Sequence, residues 1–307
     1  MHDEKERPGT ECRAFFHAGD MEDGGGCVPS SGSRMQGRVL MIAEQFDAFF
    51  FDLDGVIYIG GSATPGAAGS LQTLRRMGKG IRFLTNNPTD RQRIASRLRN
   101  HGIEAEMGEI VTAGSATAQF LAGEGIRRVW VIGEEGFRSE IEGTGIIAAG
   151  EEQCEAVVVG WDDGATMADI RRAALAIRKG ALFVAANADP SYPSPEGPVA
   201  GVGVIVEALR AGSGKEPVVV GKPFIPMFRE AIASVGIPPG RIAMVGDTPD
   251  IDVTGAHRAG ITALLMGDAP VSGEGDPFRR PEGRIETLRD LLKPGREAGI
   301  WKFPETE

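Results

Sequence analysis

Short apolar runs alternate with amphipathic segments along most of this chain. The runs at 49–51, 81–84, 217–220 and 242–245 are aliphatic or aromatic, which is typical of buried strands. The segments between them place apolar residues at helical spacing. The clearest set has the spacing i, i+3, i+4 and i+7 and consists of Phe228, Ala231, Ile232 and Val235. This alternation predicts an α/β fold with a doubly wound, Rossmann-like parallel sheet.

Further helices are predicted between and after the strands of this large sheet. Helices are predicted over 65–77 and 89–100, each between polar or glycine-containing turns. Near the C-terminus, a last helix packed on the core is predicted by apolar residues at 285, 288, 291 and 292.

Polar side chains follow the predicted strands where each strand ends. Because the carboxyl ends of parallel strands open on one edge of a sheet, and ligands bind at that edge, these side chains are expected to meet. The set consists of Asp52, Asp54, Thr85, Lys222, Asp247 and Asp252.

This set of side chains predicts phosphoryl chemistry assisted by a metal ion. Several carboxylates cannot share a small site as anions without a cation. The set contains no histidine or cysteine, so a hard ion with oxygen ligands, Mg2+, is predicted. A lysine and a hydroxyl beside the ion would hold a phosphoryl group. One carboxylate can then act as a nucleophile that forms an aspartyl-phosphate, and a second as general acid and base.

The order of these motifs resembles that of the haloacid dehalogenase-like phosphatases over roughly residues 46–292. The motifs are Asp-Leu-Asp-Gly-Val-Ile, Thr-Asn-Asn, Gly-Lys-Pro and Gly-Asp-x-x-x-x-Asp. The Thr-Asn-Asn motif and the long insert before Gly-Lys-Pro are similar to the class IIA branch. Members of that branch act on pyridoxal phosphate, 4-nitrophenyl phosphate, sugar phosphates, and glycerol or glycolate phosphate. The resemblance implies a Mg2+-dependent phosphatase of small phosphate monoesters, and a homodimer through the cap domain.

The resemblance implies a role for each catalytic or phosphoryl-binding residue of the motifs. Asp52 would be the nucleophile, and Asp54 the general acid and base. Thr85, Asn86 and Lys222 would bind the transferring phosphoryl group.

The resemblance also implies the metal ligands. Mg2+ would be held by Asp247, by the Asp52 carboxylate and by the Asp54 backbone carbonyl. Asp252 would support or replace one metal contact. Its segment reads Ile-Asp-Val where the family has Thr-Asp-Ile, so a hydroxyl beside the metal site is missing.

A second, smaller β/α alternation interrupts the larger one. Strands are predicted at 129–132, 156–159 and 182–185, and a helix at 167–179. This block predicts an inserted α/β cap domain at 126–202, between the two parts of the core at 45–125 and 203–307. A cap over the site would select leaving groups and exclude water.

Candidate substrate contacts in the insert come from the resemblance and from two aromatic residues. The segment 186–189 is similar to the branch's Thr-Asn-x-Asp element and contributes Asn187 and Asp189, although Ala186 replaces the threonine. Ala-Gly at 200–201 replaces Pro-Gly, which leaves the substrate open. Trp161 and Tyr192 either line the pocket for the organic half of the substrate, or pack the cap or a contact between two caps.

Composition narrows the possible partners and location. The chain has 307 residues, a net charge of −10 and 41% hydrophobic residues, which is typical of a globular protein and argues against nucleic-acid binding. Its apolar runs fall well short of the ~20 residues that span a bilayer. Three cysteines form no disulfide framework, which favours a cytoplasmic location. Residues 1–44 lack core periodicity and are predicted to be a disordered extension.

Two hypotheses from other functional classes remain as alternatives to an enzyme. Receiver domains combine aspartates, a threonine and a lysine around Mg2+ on a doubly wound sheet, but they are shorter, have no inserted cap, and carry their phosphoryl-accepting aspartate after a later strand. A catalytically silent relative would keep the phosphate- and Mg2+-binding pocket for regulation. The presence of all six site residues argues against silence, because losing any one would be the simplest route to it.

Overall fold

The computed structural model describes residues 40–194, 197–271 and 276–295. The strands, in chain order, are β1 (Ala48–Asp52), β2 (Tyr58–Ile59), β3 (Ser62–Ala63), β4 (Gly80–Thr85), β5 (Ile110–Thr112), β6 (Arg128–Ile132), β7 (Ile147–Ala148), β8 (Ala156–Val159), β9 (Leu182–Ala185), β10 (Ser191–Ser194), β11 (Gly197–Ala200), β12 (Val218–Val219), β13 (Ile242–Gly246), β14 (Thr262–Met266) and β15 (Gly283–Ile285).

The α-helices lie between these strands. They are α1 (Ile42–Gln45), α2 (Ala67–Arg76), α3 (Arg91–Asn100), α4 (Ala113–Gly123), α5 (Glu135–Glu142), α6 (Met167–Arg178), α7 (Val202–Ser213), α8 (Ile225–Val235) and α9 (Thr254–Arg258). Short 3-10 helices lie at Met107–Glu109, Pro239–Arg241, Pro277–Arg279 and Leu288–Leu292, and a π-helical turn at Pro249–Val253.

The larger sheet is parallel throughout and has the strand order β15-β14-β13-β1-β4-β5. Alternate side chains of the central strand β1 enter different cores. Phe49 and Phe51 pack with α2 and α3 on one face, and Phe50 packs with α4, α8 and α9 on the other. Helices therefore cover both faces, which confirms the predicted doubly wound α/β fold.

The smaller sheet is also parallel, with the order β12-β9-β8-β6-β7. Helices α6 and α7 pack on each other and on β8, and α5 packs on α4 of the larger core. An ion pair between Arg91 of α3 and Glu140 of α5 joins the two regions at 3.0 Å. The predicted second α/β layer is therefore present, with its helices and strands close to their expected positions.

One predicted strand belongs to the other sheet. The run at 217–220 was expected to join the larger sheet, but β12 pairs with β9 of the smaller one. Helix α7 packs with the smaller sheet as well. The boundary predicted at 202 therefore leaves out two elements of the inserted layer. The physical reason is that an apolar run predicts a strand but not the strand that will be its partner.

The two ends of the described chain also differ from expectation. Residues 1–39 of the predicted extension lie outside the described residues. Ile42 and Ala43, placed within that extension by the sequence analysis, are fully buried in the core and contact the 3-10 helix Leu288–Leu292. The last predicted helix is instead β15 followed by that 3-10 helix, with Ile285 paired to β14.

No helix in the described ranges has both the length and the apolar character that crossing a bilayer requires.

Burial of Ile42 generates a stability prediction. Ile42→Ala should lower the free energy of unfolding by about 2–4 kcal/mol, because it leaves a cavity in a closed core. Leu40→Ala is the matched control, since Leu40 is 39% exposed and should change stability by less than about 0.5 kcal/mol. Urea unfolding followed by circular dichroism measures both. Equal effects of the two substitutions would contradict the packing of α1.

Candidate active site

The order of strands in the larger sheet places the site. Asp52 is the last residue of β1, which lies between β4 and β13. Asp52 pairs in register with Leu84, one residue before Thr85, and Phe51 pairs with Val245, two residues before Asp247. The carboxyl ends of three adjacent strands therefore bring Asp52, Thr85 and Asp247 to one edge, as the sequence analysis predicted.

A buried lysine joins two of the acids. Lys222 Nζ donates to Asp52 Oδ1 at 2.6 Å and to Asp252 Oδ1 at 2.7 Å. Only 3% of the Lys222 side chain and 2% of the Asp252 side chain are exposed. One ammonium group thus lies between two carboxyl groups inside the protein, so acidic side chains outnumber basic ones there.

The electrostatics of this group favour an additional positive charge. Burial raises the pKa of Asp52; Lys222 opposes this shift, while Asp252 and Asp247 add to it. Burial would lower the Lys222 pKa, but the two carboxylates outweigh that effect and raise it. Burial and Asp252 raise the pKa of Asp247. A bound cation would stabilise the anionic carboxylates that burial disfavours.

The residues present fit a hard metal ion. Asp52, Asp247 and Asp252 each offer a carboxylate oxygen, and these oxygens lie within 4.8 Å of one another. Gly55 makes room for this cluster: it has a φ of +89°, and a Cβ atom there would lie 2.0 Å from Asp247 Oδ2. The side chains thus form an all-oxygen set of the kind that Mg2+ prefers.

Thr248 supports both later acids, and no prediction from the sequence included it. Its hydroxyl donates to Asp247 Oδ1 at 3.0 Å, and its backbone N–H donates to Asp252 Oδ2 at 3.1 Å. Its position between the two acids of the last motif was a usable signal. A hydroxyl beside the acids is therefore present, although at a different position from the one that Ile251 lacks.

Asp54 lies apart from the carboxylate cluster. Its side chain is 52% exposed and forms an ion pair with Arg97 of α3 at 3.4 Å. Desolvation by its surroundings raises the pKa of Asp54, while Arg97 and Lys222 oppose the shift. No motif marked Arg97 in the sequence, where it is one of several arginines on α3.

Thr85 and Asn86 continue the site on the β4 side. Thr85 is buried, and its hydroxyl oxygen accepts from the backbone N–H of Asn87 at 3.1 Å. The Asn86 side chain accepts from Lys222 N at 2.8 Å, and donates to Lys222 O and to Asp189 Oδ2, each at 3.0 Å. Both N–H donors of its amide are therefore used by protein partners.

Two predicted substrate residues of the insert contact this loop. Asn187 Nδ2 donates to Asn86 O at 2.6 Å, and Asn187 Oδ1 accepts from Asp189 N at 3.0 Å. Burial raises the pKa of the Asp189 carboxyl, which Asn86 and Lys222 oppose. The loop after β9 is thus hydrogen-bonded to the loop after β4, so the carboxyl edges of the two sheets face each other.

The two predicted aromatic residues lie together. The rings of Trp161 and Tyr192 meet edge to face with centroids 5.8 Å apart. Trp161 follows β8 at the same edge as the loop after β9, and Tyr192 is 46% exposed on β10. The pair packs together and still presents surface, which fits both readings of the sequence.

Comparison with known families matches both halves of the larger core. Residues 49–147 match the family described as haloacid dehalogenase-like hydrolase. Residues 219–290 match a second description, HAD-hydrolase-like. Together the two segments contain every residue that the motifs placed in the metal and phosphoryl site.

Individual proteins and structures show the same relationship over most of the chain. A D-glycerol 3-phosphate phosphatase from Mycobacterium tuberculosis is 35% identical, over 86% of this chain and 76% of the relative. A 5′-nucleotidase from Bacillus subtilis is 32% identical, over 81% of this chain and 98% of the relative. The crystal structure of glycerol phosphate phosphatase from M. tuberculosis in complex with magnesium superposes with a TM-score of 0.78, at 33% identity, covering 87% of this chain and 82% of that one. The chain therefore belongs to the haloacid dehalogenase-like hydrolases, in their class IIA branch of phosphatases.

Proposed function

We propose that this protein is a Mg2+-dependent phosphatase that hydrolyses small phosphate monoesters through an aspartyl-phosphate on Asp52. The observation that carries the proposal is the buried ion group in which Lys222 bonds Asp52 and Asp252 at 2.6 and 2.7 Å, with Asp247 at metal-ligand spacing. The names of the relatives support the reaction class.

Mg2+ would be held by Asp52 and Asp247, with the backbone carbonyl of Asp54 as a further oxygen ligand. Asp252 shares its carboxylate between Lys222 and the backbone of Thr248, so we assign it to supporting the metal cluster. When bound, the ion supplies positive charge that neutralises the phosphate group and the nucleophilic carboxylate. The complex of the mycobacterial relative with magnesium supports the choice of metal ion.

Asp52 would act as the nucleophile. Lys222 holds Oδ1 of Asp52 and fixes the orientation of the carboxylate at the end of β1. In the first step a carboxylate oxygen forms a bond to phosphorus, and the bond from phosphorus to the ester oxygen breaks. In the second step water attacks the same phosphorus, which releases phosphate and restores the Asp52 carboxylate.

Asp54 would move the proton in both steps. Partial desolvation outweighs Arg97 and Lys222 and raises the pKa of Asp54, which favours the protonated acid needed to donate to the leaving oxygen. The resulting carboxylate then takes a proton from the attacking water. Its exposed position, outside the carboxylate cluster, leaves it accessible to a leaving group.

Thr85 and Lys222 would bind the transferring phosphoryl group through a hydroxyl and a positive charge. The amide of Asn86 is taken up by Lys222 and Asp189. We therefore propose that Asn86 positions Lys222 and binds the loop at 186–189, and that its side chain does not contact the phosphate directly.

The organic half of the substrate would lie between the facing edges of the two sheets. Asn187 and Asp189 are bonded to the phosphoryl loop, so Trp161 and Tyr192 are the better candidates for contacts with the leaving group. The relatives range from a glycerol phosphate phosphatase to a nucleotidase, so we assign small phosphate monoesters as the substrate class.

A cytoplasmic location and a homodimer through the cap domain stay predictions from the sequence. Among the described residues, Cys154 is a free thiol.

The first prediction from the proposed function concerns the reaction. Phosphate release from a panel of monoesters should require Mg2+, stop in EDTA, and fall by at least about a thousandfold in Asp52→Asn, because the nucleophile is lost. Asp250→Asn is the matched control: that carboxylate is 54% exposed and pairs with Arg279, so activity should stay near wild type. No release from any ester, with Mg2+ still bound in calorimetry, would favour the receiver-like or silent alternatives.

The second prediction concerns the metal. Gly55→Ala should raise the Mg2+ concentration needed for half-maximal activity by about tenfold or more, because the new Cβ displaces the Asp247 carboxylate. Gly61→Ala, in the turn between β2 and β3, is the control, because no atom lies within 4 Å of its added Cβ. A magnesium titration that is the same for both variants would reject Asp247 as a ligand.

The third prediction concerns the leaving group. Tyr192→Ala should change the ranking of esters by kcat/KM, by about threefold to a hundredfold for the most affected ester, because it removes a wall of the pocket. Met167→Ala, an exposed residue of α6, is the control. An unchanged ranking would leave Tyr192 as a residue that only packs the cap.

A further inference from the structure

Arg97 makes three contacts beside the proposed general acid. Its Nη2 atom donates to Asp54 Oδ1 at 3.4 Å and to the backbone carbonyl of Gly60 at 3.3 Å. Its guanidinium carbon lies 3.9 Å from the centre of the Tyr58 ring. These contacts join α3 to the loop that carries Asp54 and to the hairpin that follows it.

Tyr58 provides a fixed surface for this guanidinium group. The residue is fully buried, and its ring also lies 5.3 Å from the ring of His101. The backbone carbonyl of Tyr58 accepts from Gly55 N at 2.8 Å, so the ring is anchored to the turn that follows Asp54. A planar guanidinium stacks on such a face, whereas an ammonium group has no plane to match it.

We propose that Arg97 is a positioning residue for the general acid Asp54, an inference that rests on the proposed phosphatase function. Arg97 has only donor N–H groups, so the Asp54 oxygen that it contacts, Oδ1, must accept. The transferable proton is thereby assigned to Oδ2. Because the Tyr58 ring and the Gly60 carbonyl fix the guanidinium, the Asp54 carboxyl group keeps one orientation.

The step that Arg97 supports is the departure of the alcohol. As the bond from phosphorus to the ester oxygen breaks, its electron pair stays on that oxygen, and the proton on Asp54 Oδ2 moves to it. Alcohol leaves, and Asp54 becomes a carboxylate facing Arg97. An alkyl alkoxide needs this proton, whereas 4-nitrophenolate is a stable anion and leaves without it.

The difference between leaving groups supplies the test. Arg97→Gln should lower kcat/KM about tenfold or more for the best alkyl ester of the panel, because general acid catalysis contributes ~10²–10⁴-fold. For 4-nitrophenyl phosphate the loss should be under about threefold, because that ester makes little use of the acid. A merely structural role would lower both values equally. Arg97→Lys should fall between wild type and Arg97→Gln on the alkyl ester, because it keeps the charge and loses the stacking.

One further background and one control variant separate this inference from the function on which it rests. In Asp54→Asn, adding Arg97→Gln should cause less than about a twofold further loss on the alkyl ester, because the two residues act as one unit. Arg93→Gln is the matched control, since it lies one turn away on α3 with a 70% exposed side chain, and should match wild type on both esters.

Several results would overturn the proposal. Equal loss on both esters in Arg97→Gln, no loss on either, or a further tenfold loss in the Asp54→Asn background would each exclude a positioning role. Wild-type protein that hydrolyses neither ester would overturn the phosphatase function itself, and the inference with it.

Discussion

The ion group of Lys222, Asp52 and Asp252 is the interaction on which the rest of the site depends. Burying two carboxylates without a counter-charge would cost several kcal/mol for each, and removing one partner of a buried pair leaves the others uncompensated. The Lys222 ammonium offsets this cost only because its hydrogen bonds to both acids are short. The group has two acids and one lysine, so a divalent ion would supply the charge that lets both acids ionise.

The same lysine joins the two sheets. Lys222 follows β12 of the smaller sheet, yet its side chain ends among acids of the larger one. The amide of Asn86 holds the Lys222 backbone on both sides, and the loop at 186–189 bonds to Asn86 in turn. The position of the Lys222 ammonium group therefore depends on the position of the loop after β9. A shift of that loop would move the ammonium group.

The central position of β1 determines which residues can share the site. With β4 on one side and β13 on the other, the carboxyl end of β1 has polar residues from both neighbours within reach. Asp54, the residue proposed to move the proton, lies just beyond this edge, where its side chain is 52% exposed and pairs with Arg97 of α3. One buried acid, Asp52, and one exposed acid, Asp54, thus come from the same turn of the chain, because burial differs sharply over two residues.

The sequence by itself determined the strands β1, β4 and β13 that carry the site, the acids beside them and the doubly wound class, because each of these follows from local patterns of two to seven residues. It also indicated Mg2+, since an all-oxygen set of acids with one lysine has few other uses. Only the tertiary structure decided that β12 joins the smaller sheet, that Ile42 closes the core, and that Arg97 meets Asp54. These facts depend on contacts between segments far apart in the chain, and such contacts are selected by the packing of the whole molecule rather than by any local pattern.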